Sequence, residues 1–74
     1  MIKTLEAEVA RAFASVYNAR LQLLEATQQN NAPEMAHWER EVDRRRGFWK
    51  WAVRELENAK RTALMTTAWL NGGP

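Results

Sequence analysis

The 74-residue sequence has no cysteine, a single histidine, three glycines and two prolines. Without cysteine the chain can form neither a disulfide scaffold nor a thiolate metal site. One histidine, His37, argues against a cluster of histidine ligands. No apolar run approaches the roughly 18 residues of a membrane span, and the N-terminal residues do not resemble a secretory signal. We therefore expect a cytoplasmic protein with no bound metal and no membrane partner.

The chain is short, which limits what it can enclose. It folds as one domain at most, and such a domain buries only about 60% of the surface that its unfolded chain exposes. This leaves little room for a substrate pocket of roughly 300 Å³. The only serine, Ser15, lies within a helical pattern, and no glycine-rich phosphate loop is present. The sequence therefore predicts neither catalytic residues nor a cofactor.

Apolar residues recur at spacings of three and four through the first half of the chain, which predicts a helix over about residues 3–29 with a coiled-coil seam. The a and d positions are Ile2, Leu5, Val9, Ala12, Val16, Ala19, Leu23 and Ala26. A second apolar series runs beside the first and comprises Ala10, Phe13, Tyr17, Leu21 and Leu24. One partner helix cannot cover both series, so the second is either core in a larger bundle or an exposed docking surface.

A polar segment centred on Asn30 and Asn31 is the only internal break. Asn31 can cap a new helix, with Glu34 three residues later as in a capping box and Pro33 in the first turn. We expect a turn over residues 30–33, a second helix over about 33–70 and a stop at 71–74. Gly47 costs that helix about 1 kcal/mol relative to alanine, but we expect it to be continuous. Its a and d positions are Met35, Trp38, Val42, Arg45, Trp49, Ala52, Leu56, Ala59, Ala63, Thr66 and Leu70.

The fold class that these patterns predict is all-α, an antiparallel two-helix hairpin that dimerises into a four-helix arrangement. The second helix is longer than the first, so residues 61–70 should overhang it without an intrachain partner. The overhang carries apolar side chains, which is a second reason to expect self-association. The residues predicted to lie in the core or the dimer contact are Leu5, Val9, Phe13, Val16, Tyr17, Leu23, Trp38, Trp49, Leu56 and Trp69.

The second helix also concentrates basic and aromatic residues. Residues 40–54 hold six basic side chains against two acidic ones. Trp51 follows Trp49 by two positions, about 200° around the helix, and faces either a second protomer or a different protein. Tryptophan and arginine are enriched at binding hot spots. The predicted partner-binding residues are Arg44, Arg46, Phe48, Lys50, Trp51 and Arg54.

Three function classes fit this composition. The first is a non-catalytic module that binds an unidentified protein. The second is a nucleic-acid-binding dimer, because phosphates attract arginine and bases stack on aromatic rings. The acidic residues among the basic ones favour the protein partner over nucleic acid. The third is a structural subunit of a larger helical assembly.

The layout resembles the small, single-domain helical proteins with which bacteriophages disable host machinery. The shared features are the size, the Asn30-Asn31-Ala32-Pro33 hairpin, the tryptophan-rich second helix and the lack of a catalytic constellation. The resemblance implies an inhibitor that covers the working surface of a host protein. One such kind is an anti-activator that binds a quorum-sensing transcription regulator. The resemblance transfers no functional residue by position.

Overall fold

A computed structural model describes residues 1–72, apart from the side chains of residues 67–71. The chain forms two helices, α1 (Ile2–Gln28) and α2 (Ala32–Gly72), which pack against each other as an antiparallel hairpin. The hairpin is a rod of 62 × 16 × 13 Å. Its long axis matches the length of α2, which is about 61 Å at 1.5 Å per residue. The predicted all-helical hairpin is confirmed.

Two asparagines form the turn between the helices. Asn30 has a φ of 54°, the left-handed conformation with which many helices end. Its N–H donates to the carbonyl of Thr27 at 3.1 Å, and the N–H of Asn31 donates to the carbonyl of Ala26 at 3.0 Å. These are the two hydrogen bonds of a Schellman motif. Asn31 then caps α2 as predicted, because its Oδ1 accepts the backbone N–H of Glu34 at 3.3 Å.

The predicted capping box is only half formed. The Glu34 carboxylate accepts the indole N–H of Trp38 at 3.1 Å. It does not return to the N–H of Asn31, because that donor is already bonded to α1.

The helix bounds also differ from the prediction by one or two residues. In particular, α2 includes Gly72, because glycine weakens a helix without preventing it.

The seam between the helices consists of small side chains. The buried residues are Ala12, Val16, Ala19 and Ala26 of α1 together with Val42 and Ala52 of α2. Ala19 and Ala52 are fully inaccessible to solvent. Among the described residues no large side chain is completely buried. The hairpin therefore closes on a narrow seam and leaves its larger apolar side chains partly exposed at the edges.

The predicted core and dimer residues occupy three environments. Val16 is buried. The half-buried members are Leu5, Val9, Leu23, Trp38, Trp49 and Leu56. Phe13 and Tyr17 are exposed, and the side chain of Trp69 lies outside the described residues. The seam positions thus agree with the heptad pattern, whereas the second apolar series lies on the surface of the hairpin.

The N-terminus of α1 fixes where α2 begins to overhang. Met1 and Ile2 lie beside Ala59 and Ala63 of α2. Leu64 still shares a shallow hollow with Ile2 of α1, so the overhang starts later than the predicted position 61. Leu64 and Met65 are 72% and 67% exposed there. The second helix is continuous through Gly47, as expected.

Candidate protein-binding surfaces

The flat hairpin presents two different surfaces, one on each side of its seam. The first, here called the groove face, comprises Arg11, Ser15, Asn18, Arg44, Phe48 and Trp51. The second, here called the α1 stripe, comprises Ala10, Phe13, Tyr17, Leu21 and Leu24. The groove face draws side chains from both helices and is rich in polar groups. The α1 stripe belongs to one helix and carries no charge.

Arg45 forms the base of the groove face and ties the two helices together. Its Nη1 donates to the backbone carbonyl of Ser15 on α1 at 3.0 Å. Its Nη2 donates to Oε1 of Glu41 at 3.2 Å, and its guanidinium carbon lies 5.7 Å from the ring centroid of Trp38. The side chain is 26% exposed. These contacts explain how an arginine occupies a seam position that is otherwise apolar.

Glu41 organises the charges beside the groove. Its two carboxylate oxygens accept hydrogen bonds from Nε and Nη2 of Arg44 at 2.9 and 2.8 Å. The hydrogen bonds and charge of Arg44, with those of Arg45, outweigh the effect of desolvation and lower the pKa of Glu41 from 4.5 to about 2. The same contact raises the pKa of Arg44. Glu41 is therefore ionised at neutral pH and holds the Arg44 guanidinium in one orientation.

Phe48 and Trp51 form an exposed aromatic pair at the rim of the groove. Their ring centroids are 5.6 Å apart with an interplanar angle of 34°. Phe48 also lines the groove, opposite Arg11 and Asn18 of α1. The two aromatic residues are 54% and 48% exposed even though they contact each other. The described residues thus leave a tilted aromatic pair largely exposed on the surface of the hairpin.

The structure separates the six predicted partner-binding residues. Arg44, Phe48 and Trp51 share the groove face. Arg46 and Lys50 each follow a groove residue by two positions, so they point about 200° away, toward the other side of α2. Arg54 follows Trp51 by three positions, so it is a neighbour of Trp51 on the exposed surface of α2. The basic and aromatic segment is therefore not one continuous surface.

Sequence reasoning missed the part of α1 that completes the groove. Arg11 and Asn18 lie across from Phe48, and Arg11 forms no ion pair with any described side chain. The heptad positions of Arg11 and Asn18 flank the seam on the same side as Ser15. This pattern could have indicated that the three side chains share one surface. The sequence pattern did mark Arg45 as a polar seam residue. It did not indicate which carbonyl of α1 the guanidinium would reach.

The α1 stripe extends over four helical turns on the opposite surface. Phe13 packs against Trp49 of α2, with ring centroids 5.7 Å apart and an angle of 58° between the rings. Phe13, Tyr17, Leu21 and Leu24 are nevertheless 54%, 55%, 45% and 54% exposed. This is a contiguous apolar surface rather than a scatter of single side chains, and such surfaces mark interaction sites.

Two further properties of the described residues bear on the site. Neither helix includes, within that part of the chain, a stretch long and apolar enough to cross a bilayer. The acidic and histidine side chains of the same residues form no group that could hold a metal ion. Comparison of the chain with protein-family models, with curated proteins and with solved structures finds no match.

Proposed function

We propose that this chain is a non-catalytic, self-associating interaction module that binds another protein through the groove face and inhibits it by occlusion. The observation that carries the proposal is the exposed Phe48–Trp51 pair. Rigid aromatic side chains supply a large contact area at a small cost in conformational entropy, and they dominate binding hot spots. Because Phe48 and Trp51 already contact each other, they lose little further freedom when a partner covers them.

The charges around the aromatic pair define the chemistry of the partner. Arg11, Arg44 and Arg45 line the groove, and the Glu41 carboxylate pairs with Arg44 and Arg45, so the groove carries excess positive charge. A matching protein would insert an apolar side chain at Phe48 and place carboxylates beside Arg11. Such charge complementarity sets the orientation and the association rate more than the affinity.

The shape of the molecule supports inhibition by occlusion. A stiff rod 62 Å long excludes other molecules from the partner surface on which it lies. The resemblance in layout to phage proteins that disable host machinery suggests a host transcription regulator as the first partner class to test. In this proposal the module needs no chemistry of its own, because coverage of the working surface is sufficient.

A comparative capture experiment tests the groove face. The wild-type chain, the Trp51→Ala variant and the Arg46→Ala variant are immobilised and exposed to lysate of the cells in which the protein acts. Captured proteins are identified by mass, purified and titrated against each chain. Loss of the Trp51 ring should weaken binding at least 30-fold, the equivalent of about 2 kcal/mol at a hot spot. Arg46→Ala is the matched control, because it removes an exposed side chain from the other side of α2.

Two results would contradict the proposal. If the partner binds both variants as tightly as wild type, the groove face is not the binding site. If the captured material is nucleic acid whose binding falls steeply with salt, the module belongs to a different class. The engagement of Arg44 and Arg45 by Glu41 weighs against that second result, since phosphates would have to compete with this carboxylate.

A further inference from the structure

We infer that the α1 stripe is the contact between two copies of this chain, packed antiparallel about a twofold axis at Tyr17. The inference rests on the self-association in the proposed function and assigns it to one surface. It leaves the groove face of each copy free. Phe13, Tyr17, Leu21 and Leu24 are each about half exposed in the single hairpin, and no other described part of the chain covers them.

The spacing of the residues in the α1 stripe reads the same in both chain directions. Its five residues are separated by three, four, four and three positions, with Tyr17 at the centre. When two such helices run antiparallel about Tyr17, Phe13 lies level with Leu21 of the partner subunit. Ala10 lies level with Leu24 of the partner subunit, a small side chain beside a large one. A twofold contact requires a patch that complements itself, and this pattern meets that requirement.

Helical geometry keeps these side chains on one line. At about 100° per residue, the five positions fall within about 40° of the direction of Tyr17. Tyr17 meets its own copy at the axis, whereas the other level residues lie on opposite sides of that line, so their side chains interleave. On α1 the charge nearest to Tyr17 in sequence is Arg20, and the axis places the two copies of this residue about 9 Å apart along the helices. The two copies of Arg20 are therefore not directly opposite each other.

The chain as a whole exposes more surface than a compact monomer of its mass. A compact monomer of 8.6 kDa exposes about 4,700 Å², whereas this chain exposes 5830 Å². The excess is of the same order as the roughly 800 Å² that each partner buries in a standard interface. The groove face is a poorer self-contact, because two copies of it would bring Arg11 and Arg44 against the same residues of the partner subunit. A dimer through the α1 stripes instead directs both groove faces outward and is bivalent.

Charge substitutions at the axis test the inference. Tyr17→Lys and Tyr17→Glu each place a charge beside the same charge of the partner subunit. Each variant alone should therefore dimerise at least 100-fold more weakly than wild type. A mixture of the two, one carrying an affinity tag, should form a heterodimer that capture on the tag recovers. Asn18→Lys and Asn18→Glu are matched controls, because Asn18 is the next residue and lies on the groove face. These controls should dimerise as the wild type does.

Mass from light scattering and helicity from circular dichroism distinguish the outcomes. A monomeric wild-type chain overturns both the inference and the proposed self-association. A dimeric wild type whose Tyr17 variants also remain dimeric overturns only the inference, because the contact then lies elsewhere. Tyr17 variants that lose helicity and do not regain it on mixing overturn it as well. None of these results depends on the partner of the groove face, which is tested separately.

Discussion

Replacement of Arg45 by alanine should destabilise the hairpin far more than the same change at Arg44. Arg45→Ala removes the hydrogen bond to the Ser15 carbonyl, and a bond from a charged donor contributes about 1.5–3 kcal/mol. It also removes the contact with the Trp38 ring, worth about 0.5–1 kcal/mol. Partial exposure of the side chain reduces both contributions. The expected loss in the free energy of unfolding is therefore about 2 kcal/mol.

Thermal unfolding followed by circular dichroism measures this loss, at one protein concentration for all chains. A loss of this size lowers the midpoint by roughly 10 °C in a domain this small. Arg44→Ala is the control, because Arg44 bonds the same carboxylate but has a side chain that is 71% exposed. Exposed ion pairs contribute little, so its midpoint should stay near that of wild type. Equal midpoints for the two variants would refute the role of Arg45 in joining the helices.

Three further substitutions or titrations follow from the structure. Gly47→Ala should raise the free energy of unfolding by up to about 1 kcal/mol, because alanine is the better helix former and an added Cβ would meet no atom within 4 Å. If urea unfolds the Gly47→Ala variant more easily than wild type, α2 is bent at position 47. Asn31→Ala should lower the free energy of unfolding by about 1 kcal/mol because the N-cap is lost, whereas Asn31→Asp should retain the cap. Equal stability of the two variants would contradict the capping geometry. Glu41 has a pKa below its ordinary value, so its stabilising effect is complete above pH 4.5 and is lost as the pH falls toward about 2. Glu41→Gln should flatten that part of the acid unfolding curve, and an unchanged curve would show that the carboxylate does not couple to folding.

The sequence predicted the helices and the turn because both depend on local chemistry. Asn31 favours an N-cap and Pro33 favours a first helical turn, and neither preference depends on distant contacts. The apolar a and d series is likewise a property of each helix separately, and it placed Ala19 and Ala52 on the seam correctly.

The surfaces were harder to predict because they depend on how the helices meet. Arg46 and Phe48 are close in sequence, yet they point to different sides of α2. The position of α1 decides which of those sides borders the groove. The hydrogen bond from Arg45 to Ser15 depends on register, which the turn sets and the heptad pattern leaves open. For the same reason, the contribution of Arg11 to the groove could not be predicted from Arg44 and Phe48, which lie more than 30 positions away in the sequence.

Sedimentation equilibrium of the wild-type chain tests most directly whether this hairpin needs a second copy to cover its apolar surface. At tens of micromolar the mass should be about 17 kDa, twice the 8.6 kDa of one chain, and it should fall as the sample is diluted. A fully helical species of 8.6 kDa throughout that range would contradict the account, as would a ladder of larger assemblies.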